Sequence, residues 1–253
     1  MKYFFHLACA LILFTGCLSK VGVIYAEPDE THDPYEILKT ALDIFENQVD
    51  DYTATFVKQQ RINGKLHNEE SMELKFMKPF SVYYRWNYPD KGKEVLYVHG
   101  KNKNKILGHL GGAAGFFPIS RWLDPDDPMA MATNKYPITR SGLGTMLKLM
   151  IAQYDLARQN GELEATYAGT EVIDGKRTHV LIRRLPKKDI YACYLSIVNI
   201  DMETQLPVRV VSLNWDFSIE EIYYIRNIKI NQGLTEADFS PDNREYNFGF
   251  LKF

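Results

Sequence analysis

The sequence contains few cysteines, and their positions exclude a framework of intrachain disulfide bonds. Cysteine occurs 3 times in 253 residues, and Cys9 and Cys17 both lie in the apolar segment at the amino terminus. The remainder of the chain holds Cys193 alone, so no partner for a disulfide is left. Cys193 stands within an apolar stretch, which predicts a buried small side chain rather than a reactive thiol.

Neither sign of charge dominates the chain. It has 30 lysine and arginine residues against 32 aspartate and glutamate residues, which gives a formal net charge of −2. Binding to nucleic acid requires positive charge concentrated on one surface. The sequence therefore predicts no nucleic-acid partner.

Motifs that would support catalysis or metal binding are also missing. The histidines that follow the amino-terminal segment form neither a His-Glu-x-x-His nor a His-x-His arrangement. They are scattered at His32, His67, His99, His109 and His179. Ser141 lacks the flanking pattern of a nucleophile elbow. The sequence therefore predicts a protein that is not an enzyme and that holds no metal or cofactor.

The amino-terminal segment has the form of an export signal. Lys2 is followed by the uncharged stretch Tyr3–Thr15, which is shorter than the roughly 20 residues of a membrane-spanning helix. The signal has two possible cleavage sites. One is a signal-peptidase site after Ala26, and the other is an imperfect form of the motif that precedes a lipid-modified cysteine, here Cys17. The first is preferred because Phe14 stands where that motif prefers a leucine.

A single transmembrane anchor is a third interpretation of this segment, and all three are expected to place the protein outside the cytoplasm, in the periplasm or the cell envelope. We expect a signal peptide over residues 1–26, a flexible polar linker over residues 27–33 and a single domain over residues 34–253. Acylation of Cys17 would instead add contact with a membrane.

Alternating apolar residues over Met72–Val98 predict three antiparallel strands. The apolar side chains stand at every second position; they are Met72, Leu74, Phe76, Val82, Tyr84, Trp86, Val95 and Tyr97. Pro79 and Pro89 fall between these runs, where an antiparallel meander must reverse. The resulting sheet has one broad apolar face, which a helix, a second sheet or a ligand must cover.

Further strands are indicated on both sides of this meander. Tyr52–Arg61 alternates in the same way, and the Asn63-Gly64 pair after it is a strong hairpin signal. Residues 164–230 carry about five more short strands, with a second hairpin signal at Asp174-Gly175. Residues 108–135, rich in glycine, aspartate and proline, are predicted to be a long loop that is functional or mobile.

Two segments have the periodicity of helices. Asp33 and Pro34 form a typical helix start, and an apolar stripe follows them. A second helix is predicted over residues 141–160, and Met146 and Met150 belong to its apolar stripe. A methionine-rich stripe fits both an adaptable binding surface and ordinary core.

Short, locally connected strands with two helices predict a mainly β fold of the α+β class. The expected architecture is a curved antiparallel sheet that forms an incomplete barrel, with helices covering the concave face. Wide, open barrels enclose ligands, whereas small barrels fill with their own side chains. A structural protein with a filled core therefore remains an alternative to a binding protein.

The chain resembles the periplasmic lipoprotein carriers of the LolA type. The resemblance rests on runs spread over residues 34–243, with two prolines that bracket a strand. The runs are Ile37–Phe45, Tyr52–Gln59, Leu74–Pro79, Trp86, Pro89, Val95–Gly100, Asn199–Arg209 and Asn227–Phe239. The LolB receptor and the RseB stress sensor are similar in fold. A family of uncharacterised exported bacterial proteins is a closer match.

The resemblance implies that the concave face binds a lipid or an acyl group of a lipoprotein, as a carrier does. The residues expected to contact this ligand are Phe56, Leu74, Phe76, Lys78, Val82, Tyr84, Trp86, Tyr97, Met146 and Met150. In the carriers a basic residue hydrogen-bonds the lid, and Lys78 stands at the position of that residue. Alternatively, the aliphatic stem of Lys78 lies on apolar surface while its ammonium stays in water. The alternative function is an RseB-like sensor or protein-interaction module with an envelope partner and without lipid transfer.

Overall fold

The computed structural model describes residues 32–116, 119–249 and 251–252. The predicted signal peptide over residues 1–26 and most of the predicted linker over residues 27–33 lie outside these residues. Within them, the strands belong to one sheet that is accompanied by helices. The extent of the domain, residues 34–253, stays a prediction.

The strands form two runs along the chain, separated by a long helix. The first run is β1 (Asp51–Ile62), β2 (Lys65–Leu66), β3 (Glu70–Met77), β4 (Ser81–Tyr88), β5 (Glu94–Val98), β6 (Ile106–His109) and β7 (Ile119–Leu123). The second is β8 (Glu164–Ile173), β9 (Lys176–Arg184), β10 (Leu195–Asp201), β11 (Pro207–Leu213), β12 (Ile219–Ile230) and β13 (Leu251–Lys252). The α-helices are α1 (Pro34–Gln48), α2 (Pro128–Met131) and α3 (Leu143–Gln159), and short 3-10 turns occur at Asn102–Asn104, Gly112–Phe116, Ile138–Arg140 and Glu236–Phe239.

The order of the strands leaves the sheet open. Neighbours follow the order β13-β7-β6-β5-β4-β3-β1-β12-β11-β10-β9-β8, with β2 paired to β1. All pairs are antiparallel except β13 with β7. In the described part of the chain, the end strands β13 and β8 do not pair with each other. The predicted fold, a curved antiparallel sheet forming an incomplete barrel with helices on its concave face, is confirmed.

Helix α1 begins and packs as its sequence predicts. The Asp33 carboxylate accepts a hydrogen bond from the backbone N–H of Tyr35 at 2.9 Å and so caps the helix. Its apolar stripe is buried through Leu38, Ala41 and Phe45. This helix covers one end of the concave face.

Helix α3 lies directly against α1 because a glycine stands at their contact. A Cβ atom on Gly144 would come within 2.3 Å of Cε1 of Phe45, so a larger residue would push the helices apart. At the start of α3, the backbone N–H of Leu143 donates to the Tyr52 hydroxyl at 3.1 Å. These contacts fix the amino-terminal end of α3 over the sheet.

Both hairpin turns predicted from the sequence are present. Asn63 and Gly64 join β1 to β2 with φ angles of 49° and 78°. Asp174 and Gly175 join β8 to β9 with φ angles of 49° and 83°. Positive φ at both central residues is the geometry that suits the right-handed twist of the flanking strands.

The segment of residues 108–135 has more regular structure than the predicted long loop. Strand β7 and helix α2 both fall within it. The sequence conceals β7 because each face of Ile119–Leu123 mixes apolar and polar residues, which removes the alternation that identifies a strand.

The outer face of the sheet is also partly covered, although the sequence predicted a one-sided sheet. A second apolar cluster joins this face to residues near the carboxyl terminus; its buried members are Tyr83, Leu96, Val98, Leu107, Phe239 and Phe248. The covering residues lie more than 100 positions away from β4 and β5 in the sequence, so local patterns did not indicate their contact.

Candidate functional site

A cavity lies between the concave face of the sheet and the segment that runs from residue 125 through α3. Its volume is about 610 Å³. Pockets that bind small organic molecules occupy roughly 300–1,000 Å³. The cavity therefore has enough space for a ligand of ordinary size.

The floor of the cavity is an apolar row that crosses four strands. Leu74 of β3 lies opposite Tyr84 of β4, Tyr84 opposite Val95 of β5, and Val95 opposite Gly108 of β6. Directly opposite residues point to the same face of a sheet, and all four line the cavity. A Cβ atom on Gly108 would meet nothing within 4 Å, so the missing side chain leaves open space.

The roof of the cavity is formed by α3 and the residues before it. Met146 and Met150 of α3 and Ile138 of the preceding segment are partly buried and line the cavity. Met129, which is mostly exposed, also contributes to the lining. Methionine side chains are flexible and polarizable. The roof can therefore adapt its shape to an apolar guest.

The ten residues predicted to contact a ligand fall into two groups. The structure places six along the cavity; they are Phe56, Leu74, Tyr84, Trp86, Met146 and Met150. The other four lie outside the cavity lining; they are Phe76, Lys78, Val82 and Tyr97. Contact of any of the ten with a ligand stays a prediction.

Helix α1 explains why the second group is separate. Phe76 lies 5.1 Å from Tyr52 and 6.1 Å from Phe45, measured between ring centroids, and this aromatic packing fills the space beneath α1. The Lys78 ammonium donates to the backbone carbonyls of Phe45 and Glu46, both at 2.7 Å. Lys78 thus satisfies carbonyls in the last turn of α1, which have no partner within the helix.

A polar wall of the cavity was not predicted from the sequence. Lys58 is only 6% exposed, and its ammonium donates to the carbonyl of Thr133 at 3.0 Å and to Oδ1 of Asn134 at 2.5 Å. The Glu70 carboxylate lies 3.7 Å from the same nitrogen and accepts the indole N–H of Trp86 at 2.6 Å. Burial lowers the pKa of Lys58 to about 8.

A second polar contact lies beside the first. The amide of Gln60 donates to the Tyr223 hydroxyl at 2.5 Å, and this hydroxyl donates to the Glu221 carboxylate at 3.0 Å. The backbone N–H of Lys135 donates to Oε1 of Gln60 at 3.2 Å. Burial, followed by the neighbouring Glu221 charge, raises the pKa of Tyr223. Residues 133–135 are thereby attached to the sheet through Lys58 and Gln60.

The alternation of side chains along β1 could have located this polar wall from the sequence. Phe56 was expected on the concave side, and residues 58 and 60 share its parity. Lys58 and Gln60 therefore continue the same face with polar side chains, and both line the cavity.

The described residues show no metal site. No group of three or more histidine, cysteine, aspartate or glutamate side chains among them is arranged to hold a metal ion. Cys193 is buried, as predicted, and burial raises the pKa of its thiol. None of the helices over the same residues combines the length and hydrophobicity of a membrane span.

Comparison with known families gives one match by sequence. A family model described as "Protein of unknown function (DUF1571)" matches residues 49–248. A comparison with curated proteins found no match.

Solved structures of low sequence identity are similar to the chain. A chain of the Pseudomonas aeruginosa MucA/MucB complex has a TM-score of 0.49 and 14% identity; the match covers 83% of this chain and 61% of that one. The Mycobacterium tuberculosis lipoprotein LppX has a TM-score of 0.47, 15% identity and coverage of 80% and 97%. A LolA superfamily protein from Nitrosomonas europaea has a TM-score of 0.33, 9% identity and coverage of 83% and 98%. The LolA type that the sequence resemblance named is represented among these structures.

Proposed function

The chain belongs to the family described as "Protein of unknown function (DUF1571)", and we propose that it is a non-enzymatic exported protein that binds an acyl chain of a lipid or lipoprotein. The observation that carries this proposal is the cavity of about 610 Å³ above Leu74, Tyr84 and Trp86. A filled core would have left no such space.

The free energy of apolar burial supports acyl binding. Each buried methylene contributes about 0.8 kcal/mol, so about ten methylenes contribute about 8 kcal/mol. This exceeds the lower estimates for the cost of association, about 4 kcal/mol. The flexible methionines of the roof suit a chain that has many conformations.

Reversible binding, as a carrier requires, needs a way into the cavity. The segment of residues 125–142 forms part of the roof. It is attached to the sheet by a hydrogen bond from Lys58, by the Lys135 backbone N–H that donates to Gln60, and by the Lys135 ammonium, which pairs with Glu220 and Glu221. Breaking these few contacts would open the roof without disturbing the strands, so this segment is the proposed gate.

Substitution of Gly108 tests the proposal directly. In Gly108→Phe the new ring would project into open space within the cavity. If it displaces two methylenes of the guest, affinity falls by about tenfold, since each contributes about 0.8 kcal/mol. Titration of a fluorescent fatty acyl probe measures the dissociation constant.

The matched control is Val172→Phe, which adds the same ring in β8 at a side chain that is 63% exposed. This variant should bind the probe as the wild-type protein does. Mass spectrometry of protein purified under native conditions should also show a bound lipid. Recovery of empty protein that takes up no acyl probe would refute the proposed function, as would unchanged binding by Gly108→Phe.

A further inference from the structure

One wall of the cavity holds a buried arginine that has no acidic partner among the described residues. Arg183 of β9 is 4% exposed and lines the cavity. Its Nη2 donates to Sγ of Cys193 at 3.4 Å, and its guanidinium carbon lies 5.6 Å from the ring centroid of Tyr154. Its Nε has no hydrogen-bond partner, and over the residues that the structure describes its guanidinium forms no salt bridge.

This arrangement is energetically unfavourable for the empty protein. Burying a charge is strongly unfavourable unless hydrogen bonds and an opposite charge offset the loss of water. A thiol is a weak acceptor, and a tyrosine ring 5.6 Å away supplies only a modest cation–π attraction. An anionic group entering the cavity would provide the missing charge and acceptor.

The strand registers place Arg183 at the end of a polar row. Arg183 lies opposite Ser196 of β10, Ser196 opposite Ser212 of β11, and Ser212 opposite Glu221 of β12. All of them line the cavity. The serines offer hydroxyl donors next to the guanidinium, so an anion at Arg183 has further groups of suitable chemistry beside it.

The acid in this row is already paired elsewhere. The Glu221 carboxylate lies 3.5 Å from the Lys135 ammonium and accepts the hydroxyl of Tyr223. Its negative charge is therefore offset by Lys135, whereas Arg183 has no acidic partner among the described residues.

We propose that Arg183 binds the anionic head group, a carboxylate or phosphate oxygen, of the amphiphile whose acyl chain lies over Leu74 and Tyr84. This inference rests on the proposed function and names the ligand class, which is an anionic single-chain lipid rather than a neutral one. Arginine suits the role because its planar fork can bind two oxygens at once.

The test compares ligands that share one chain and differ in the head group. Hexadecanoate, hexadecyl phosphate and hexadecanol are titrated into the purified protein, and the dissociation constants are measured by calorimetry. The wild-type protein should bind at least one anion about tenfold or more tightly than the alcohol, the effect expected of a charge-assisted hydrogen bond in a buried site. The preferred anion distinguishes a carboxylate from a phosphate.

Substitution then assigns the preference to the arginine. In Arg183→Met the preference should disappear while the alcohol binds as before, and Arg183→Lys should retain part of it. The matched control is Arg184→Met, because Arg184 is the next residue of β9 and points to the opposite face. Thermal unfolding of each variant confirms that it is folded.

The outcomes separate this inference from the proposed function. Equal binding of the anions and the alcohol refutes the role of Arg183 but leaves acyl binding intact. Binding of none of the three refutes acyl binding itself. A preference that persists in folded Arg183→Met would also refute the assignment, since the anion would then have a different partner.

Discussion

The buried ammonium of Lys58 should make the stability of the protein rise with pH. Burial lowers its pKa in the folded protein to about 8 from a usual value of 10.5. Between these two values the unfolded chain binds more protons than the folded protein does. By linkage, the free energy of unfolding must then increase as the pH rises.

The size of the effect follows from the two pKa values. Integrating the difference in bound protons between about pH 7 and pH 10 gives roughly 2–3 kcal/mol of additional stability at the higher pH. The thiol of Cys193 acts in the opposite direction, because burial raises its pKa and stability is lost as the pH rises through that raised value. The contribution of Lys58 must therefore be isolated by difference.

Lys58→Met removes the titrating group and keeps a side chain of similar length. Urea denaturation, followed by tryptophan fluorescence, gives the free energy of unfolding of both proteins at several values from about pH 7 to pH 10. The difference between wild type and variant should change by roughly 2–3 kcal/mol in favour of the wild type as the pH rises. A difference that stays constant over this range would show that Lys58 titrates at its usual pKa and is not desolvated.

Two further substitutions test contacts at the ends of α1 and β1. Lys78→Leu should lower the free energy of unfolding by about 1–2 kcal/mol, since two helix carbonyls lose a charged donor. The affinity for the acyl probe should stay unchanged, because Lys78 lies outside the cavity lining. Weaker binding of the probe would contradict that placement. Asp51→Asn should lower the free energy of unfolding, measured by urea denaturation, by about 2 kcal/mol. The buried Asp51 carboxylate accepts hydrogen bonds from the backbone N–H groups of Gln232, Gly233 and Leu234 at 2.7, 3.0 and 3.1 Å. An unfolding midpoint equal to that of the wild type would contradict the importance of these bonds.

The apolar part of the candidate site was accessible to sequence reasoning, but the polar part was not. Leu74, Tyr84 and Trp86 alternate within one local meander, so their shared face follows from the period of a strand. Arg183 and Ser196 belong to strands whose outlines were also predicted. They share one row with Glu221 and Gln60, however, only through the registers of five neighbouring strands, and no local pattern specifies those registers.

The sequence also did not indicate that one part of the concave face is covered by a helix while another part lies under a cavity. Phe76 and Leu74 are two positions apart on one strand and are equivalent by sequence. Helix α1 covers Phe76, whereas a cavity lies over Leu74. The difference arises because α1 and α3 meet closely at Gly144, a contact between residues about 100 positions apart in the chain.

The amino-acid sequence by itself determined most of the strands, the two hairpin turns and the start of α1, because alternation, turn residues and caps act over a few neighbouring positions. It also determined that one face of the sheet is broadly apolar. Only the tertiary structure decided that part of this face stays unfilled and that a buried arginine lines the unfilled part. Both depend on how far α3 stands from the sheet and on which distant strands pair, and these are set by packing across the whole fold.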